Sequence, residues 1–377
     1  MTTLALSSAA LNPAALASDW PGNFWLHWAV FSVLILAFVL GVVIIFVWLE
    51  RRFMARMQAR IGPNRTGPFG LLQSLADALK LMLKEDIVPD SADHALHWLA
   101  PIIALVPVLS VFVVIPFADG AALADLNIGI LYVIAIGSVA SMGIITAGWA
   151  SNNKYSLLGA MRDIAAIVSY EIPLAMAVLG VVIIAGSLSL SAIVDAQSSV
   201  PLIFFQPLGF LLFFIAACAE INRSPFDLLE ADSELTAGFH TEYSGMKFAL
   251  FFLAEYGESL VVSAVVATIF LGGWRGPVLP PWLWFLGKVF AVFLFMVWVR
   301  TTMPRVRIDQ LMALAWKFLF PLALINLLVT AIEVLIWPNG LPWPVIFLNI
   351  AIFLAVIPIF SRLFKLGWGR VEVPALR

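Results

Sequence analysis

Four things are scarce in this 377-residue chain, and each scarcity removes a class of chemistry. The single cysteine, Cys218, excludes an intrachain disulfide and an iron–sulfur cluster held by this chain alone, because either needs at least two thiols. The histidines number four, His27, His94, His97 and His240, and none stands at the middle of an apolar run, which argues against a bis-histidine haem. His94 and His97 read as interface residues. Charged residues make up 12% of the chain, against about 25% in an ordinary soluble domain. The first 26 residues carry no Lys or Arg, so they lack the basic start of a cleaved signal peptide and read as an outer segment, 1–26.

What is present instead is oil: 62% of the residues are hydrophobic. Nine apolar runs are long enough to cross about 30 Å of hydrocarbon as helices. They cover 27–49, 95–118, 128–150, 164–186, 202–221, 247–271, 282–302, 313–336 and 343–361. The expected fold is therefore an all-α polytopic membrane protein, one transmembrane domain over 27–361 followed by an inner tail, 362–377. Placing the N-terminus outside puts 19 of the 21 Lys and Arg in inner-face segments and leaves only Arg275 and Lys288 near the outer face. That asymmetry fixes the orientation, with inner loops near 50–94, 151–163, 220–246 and 303–312 and the C-terminus inside.

The first inner loop is the longest. In Gly70 to Asp86, Leu71, Leu72, Leu75, Leu79, Met82 and Leu83 recur at helical spacing, with Gln73, Asp77, Lys80 and Lys84 on the other side. Such a helix is too short and too charged to span, so it should lie in the membrane surface. The preceding ARIGPNRTGPFG is a rigid turn with Arg60 and Arg65 as fixed cations. Anchoring to lipid and shaping a ligand chamber both fit this segment.

Between Glu220 and Glu258 lie eight of the 23 acidic residues: Glu220, Asp227, Glu230, Asp232, Glu234, Glu242, Glu255 and Glu258. Glu255 and Glu258 enter the bilayer if the flanking runs span it, as does Glu171, eight residues past Asp163. A carboxylate there costs about 2.5 kcal/mol or more unless it is neutral, paired or watered. So many acids at one membrane face point to a proton or ion path. Pro173, two residues after Glu171, removes a backbone donor and can open the helix to polar neighbours. Glu333, deep in the eighth run, has no obvious partner and reads as structural.

Four blocks, Leu49 to Asp86, Gly148 to Ala175, Ala219 to Tyr256 and Val299 to Leu324, resemble the H-subunit family of respiratory complex I, the proton-pumping NADH:quinone oxidoreductase. Their order and spacing agree over most of the chain. The resemblance implies a subunit at the junction of the membrane and peripheral arms, multi-pass in a bacterial inner membrane rather than an organellar one. It implies quinone as substrate, reduced in a chamber shared with peripheral subunits, and no cofactor bound by this chain alone. FMN and the iron–sulfur clusters would sit in partner subunits. Other partners would be neighbouring small membrane subunits and lipid; nucleic acid is not expected.

By the same resemblance, the chain of buried acids maps onto Glu171, Glu220, Glu234 and Glu255, to which Asp227 and Glu258 are added as path residues. The quinone chamber maps onto Glu50, Arg51, Arg52, Asp77, Phe226 and Arg65. An arginine at that place can hydrogen-bond a quinone carbonyl or steady a carboxylate. Plainer readings stand beside these: Arg51 and Arg52 as a topogenic stop, Glu220 paired with Arg223 at i,i+3, and Asp227, Glu230 and Asp232 as a solvated or docking loop. Lys154 and Arg162 would hold the second inner loop against the acidic one. Two other functions share the acid path, the equivalent subunit of a membrane-bound hydrogenase and a stand-alone secondary transporter. One departure from the family pattern is the ninth run, since many relatives stop after eight.

Overall fold

The computed structural model describes residues 24–227, 237–338, 340 and 342–363; within these the chain is helical, with no strand. Seven helices are long and apolar enough to cross a membrane. They are α1 (Phe24–Met57), α3 (His94–Val111), α4 (Gly129–Ala150), α5 (Lys154–Ala185), α9 (Gly245–Ile269), α10 (Pro281–Thr302) and α11 (Ile308–Ile336). The remaining two expected spans are shorter apolar helices, α8 (Pro207–Glu220) and α12 (Pro344–Leu363). Three non-spanning pieces complete the set: α2 (Gln73–Leu83), α6 (Leu190–Ala196) and α7 (Leu202–Phe205).

The fifth run is interrupted because Gln206 leaves the helical region (φ −130, ψ 61) and Pro207 has no N–H to continue the ladder. The fourth run is not interrupted: Pro173 lies buried inside a continuous α5. In α11 the backbone widens into a π-turn over Leu314–Leu319, just ahead of Pro321. A proline ring clashes with the carbonyl four residues back, and an extra residue in the turn relieves that clash. The widened turn faces α5: the Trp316 indole donates to Ser169 Oγ at 3.2 Å and the Tyr170 hydroxyl donates to the Leu311 carbonyl at 2.9 Å.

In lipid, helices associate through close packing of small residues rather than through apolar burial. Where α4 crosses α3, a Cβ on Gly143 would stand 2.6 Å from the Ala104 nitrogen, and where α5 meets the 238–242 turn, one on Gly159 would stand 2.7 Å from Gly238 Cα. α9 packs against α3 and α10, while α5 packs between α4, α8 and α11. The N-terminus of α5 is capped by Asn153, whose side chain accepts from Tyr155 N–H and donates to Glu242 at 2.7 Å. Asn153 thereby ties the second inner loop to the third.

α2 forms within the segment where the periodicity predicts a helix, with Leu75, Leu79, Met82 and Leu83 all exposed along one side. Its end is pinned to the start of α9 by Lys247, which pairs with Asp86 at 2.9 Å. The two cations expected near the outer face are both held: Arg275 pairs with Asp195 at 2.6 Å, and Lys288 Nζ donates to the carbonyls of Leu271, Gly273 and Arg275 at 2.7, 2.8 and 2.7 Å. His97, one of the two histidines expected at the interface, is fully buried near the start of α3, where its ring stacks on Tyr243 with centroids 4.1 Å apart.

Candidate functional site

The buried acids fall into two groups with different surroundings. The first is clamped by arginine. Glu50, 1% exposed near the inner end of α1, accepts from Arg223 at 3.0 and 3.1 Å and from Arg300. The same Arg223 reaches Glu255 at 3.1 Å and lies over the Tyr256 ring at 4.2 Å. Asp227, also buried, takes Arg305 at 3.2 Å, and the neighbouring loops are tied by Val306 N–H to the Pro225 carbonyl at 2.9 Å. One arginine between two carboxylates is the use for which its planar fork of donors is suited, and Arg300 supplies the second charge.

The second group lines water-sized space and has no arginine or lysine clamp among the described residues. A cavity of about 90 Å³ between α4, α5, α8 and α9 is bordered by Ser141, Glu171, Glu220 and Glu258. A lone water needs roughly 10–15 Å³ by the same measure, so the space admits several. Ser138 Oγ donates to Glu171, and Gly137 keeps clear of Glu220, since a Cβ there would stand 3.9 Å from its Oε1. A smaller cavity of about 40 Å³ continues toward the inner loops, bordered by Asn222, Asp227, His240, Glu255 and Glu258. Glu258 belongs to both.

Asp163 completes this second group. It is 1% exposed, with Asn222 beside it and within electrostatic reach of Glu258. His240, on the inner turn, is held neutral: burial lowers its pKa from 6.5 to about 4. The arrangement can hold, share and pass protons through water.

A family model described as NADH dehydrogenase matches residues 30–331. The chain is 59% identical over 351 residues to the H subunit of NADH-quinone oxidoreductase of Dehalococcoides mccartyi (strain CBDB1), covering 93% of this chain and 99% of that one. It is 50% identical over 332 residues to the corresponding H subunit of Brevibacillus brevis, with 86% and 97% covered. It is 51% identical over 326 residues to the H subunit numbered 2 of Syntrophobacter fumaroxidans, with 84% and 98% covered.

The chain belongs to the H-subunit family of NADH-quinone oxidoreductase.

As a member of the H-subunit family it is a multi-pass membrane component of complex I, an oxidoreductase and translocase whose other subunits are its partners. The hydrogenase and stand-alone transporter readings are not favoured.

Of the acids expected on the path, the structure brings Glu171, Glu220, Glu255, Glu258 and Asp227 along the two cavities; Glu234 lies outside the described residues, as do Glu230 and Asp232. The expected Glu220–Arg223 pair is not formed. Arg223 turns instead to Glu50 and Glu255, leaving Glu220 to face Glu171 across the cavity. Arg51 pairs with Asp77, joining α1 to the surface helix. Arg52 donates to the Phe69 carbonyl at 2.6 Å and stands over the Trp48 and Phe69 rings, so it fastens the GPNRTGPFG turn. Phe226 packs against Tyr170 with ring centroids 5.9 Å apart, and Arg65 lies exposed on the loop. Glu333 does have a partner, Asn349.

Sequence reasoning did not single out Asp163, Ser138, Asn222 or Arg300 as site residues. The only signal for Asp163 was a carboxylate two helical turns before Glu171 at the start of an apolar run. Arg223 was read only against its nearest acid in sequence.

Proposed function

We propose that the chain, with its inner loops in the cytoplasm of a bacterial cell, forms one wall of a quinone chamber and passes the energy of quinone reduction to proton movement through its buried acids. FMN and iron–sulfur clusters in partner subunits would deliver the electrons. The single observation supporting this reading is the pair of cavities joined at Glu258. They run from Asp227 by the inner loops to Glu171 in mid-span, with no clamping cation on Glu171, Glu220 or Glu258 among the described residues.

In this reading the two groups of acids divide the work. Glu50, Arg223 and Arg300 hold α1, α10 and the turn after α8 in register, so the chamber wall near Arg51 and Asp77 stays in place. When a quinone in the chamber takes electrons it must also take protons, and the change of charge acts on Asp227 and Glu255 at the near end. Protons then redistribute among Glu258, Glu220 and Glu171, carried by water over distances that side chains alone do not bridge.

The test is Glu171→Gln and Glu258→Gln in the intact complex. NADH oxidation coupled to quinone should fall steeply, while NADH oxidation by a hydrophilic acceptor at the flavin continues. Equal loss of both activities, or loss of neither, defeats the reading.

A further inference from the structure

The break in the fifth span is surrounded by polar side chains that the inner acids do not use. Gln206, Asn326, Thr330, Glu333 and Asn349 are each more than nine-tenths buried, and they come from α11, α12 and the α7–α8 junction. Gln206 Nε2 donates to Thr330 Oγ1 at 2.7 Å; Asn349 Nδ2 donates to the Phe205 carbonyl at 2.7 Å and to Glu333 Oε2 at 3.2 Å. Three atoms are left over. Gln206 Oε1, Asn326 Nδ2 and Glu333 Oε1 are buried without a hydrogen-bond partner among the described residues.

A buried polar atom without a partner costs about 1–3 kcal/mol, so Gln206 Oε1 and Asn326 Nδ2 on one cavity, with Glu333 Oε1 joined to it through Asn349, mark a group that the chain itself does not supply. The space is there. Gln206, Asn326, Thr330 and Asn349 line a cavity of about 10 Å³, the room one water needs, and an acceptor amide beside a donor amide matches a water's own donors and lone pairs. Glu333 stands one turn beyond Thr330, three residues before α11 ends at Ile336, which places it about 4.5 Å inside the outer end of the helix. It forms no ion pair among the described residues, and the donor it takes there is the neutral Asn349 amide.

The cluster also sits next to the acid path. Val178 and Phe213 border the outer end of the 90 Å³ cavity. Within a turn of them, Gly180 and Gly209 abut the Gln206 amide, for a Cβ on either would stand 2.9 Å from it. Discontinuous helices in membranes place ion and proton sites at such breaks, where backbone carbonyls are freed and polar side chains gather.

We propose that Glu333, joined through Asn349 to an ordered water among Gln206, Asn326, Thr330 and Asn349, is a proton-carrying site in the outer leaflet that releases protons from the inner acid cavity to the outer face. Only O–H bonds change: the carboxyl O–H breaks as its proton passes to a water on the outer side, which leaves as hydronium, and a new carboxyl O–H forms with a proton given up by a hydronium that arrives past Gln206 from the acid cavity. The inference rests on the coupling role proposed above, and it makes this chain part of the exit as well as of the entry.

The experiment uses the intact complex in liposomes, with Glu333→Gln, Glu333→Asp and Thr330→Val, and reads protons moved per NADH beside NADH:quinone turnover. Gln can still accept the Asn349 hydrogen bond but cannot titrate, whereas Asp keeps the carboxyl. The expected result is a lower proton yield with turnover retained in Glu333→Gln and Thr330→Val, and recovery of the yield in Glu333→Asp. An unchanged yield in Glu333→Gln overturns the proposal. So does an equal defect in Gln and Asp, or loss of assembled complex in all three, since each would make the cluster a packing element. Failure of the underlying coupling role would show separately, as unaltered activity in Glu171→Gln.

Discussion

Replacing Arg223 by Met removes the cation that serves Glu50 and Glu255 together. Glu50 is 1% exposed and Arg223 makes two contacts with it near 3 Å, so the pair is desolvated and well aligned. Deleting one member of such a pair leaves the other charge buried and costs about 3–5 kcal/mol, less here to the extent that Arg300 still reaches Glu50. Taking about 3 kcal/mol on the barrier to inactivation, and a factor of ten for each 1.36 kcal/mol, the half-life of the assembled complex at fixed temperature should shorten by roughly 10²-fold. The assay is residual quinone reductase activity against time for wild type, Arg223→Met, Glu50→Gln and the double variant. Because the two side chains share one contact, the double variant should be more stable than the sum of the single losses implies, with a coupling of roughly 2 kcal/mol. Additive losses would show that Arg223 and Glu50 do not hold one another, and the division of the acids into clamped and unclamped groups would fail with it.

Gly143→Val should fail by overpacking. Its Cβ would fall 2.6 Å from the Ala104 backbone, which cannot yield as a flexible side chain would, so a loss of about 3 kcal/mol is expected, read as a drop in assembled complex while Gly41→Val, in open space, assembles normally. His240 gives an acid-labile element. Its folded pKa of about 4 lies below the ordinary 6.5, so the unfolded chain binds the proton more readily. Stability from the neutral ring is complete above pH 6.5 and is lost as pH falls from 6.5 toward 4. His240→Gln should flatten acid inactivation in that window, and an unchanged pH profile would contradict the buried neutral state.

Much of this arrangement is legible in the sequence because the bilayer imposes a length rule. Runs such as 247–271 and 282–302 are long, apolar and bounded by charge, and α9 and α10 fill them. The rule loses force at 202–221, where apolar content is continuous but Gln206–Pro207 breaks the hydrogen-bond ladder. Pro173 shows the converse, since a proline inside a well-packed helix removes one bond without ending it. What could not be read was pairing at a distance. Glu50 and Arg223 are 173 residues apart, and nothing local in either neighbourhood names the other. Reading Arg223 against Glu220, three residues away, followed the only rule available for a helix surface, yet α8 ends at Glu220 and the turn carries Arg223 to the opposite side. Asp163 escaped notice for a related reason. At the start of an apolar run it has the look of an ordinary boundary charge, and only the tertiary fold puts it beside Asn222.

The two cavities share a wall made of Ala140, Ile144, Ile221 and Glu258, of which Glu258 is the one carboxyl. On the function proposed above, a proton crossing between the two cavities meets Glu258 as the one titratable group on that shared wall, so its occupancy would act as a turnstile. The number of protons leaving per catalytic cycle would then follow how often this one side chain on α9 empties.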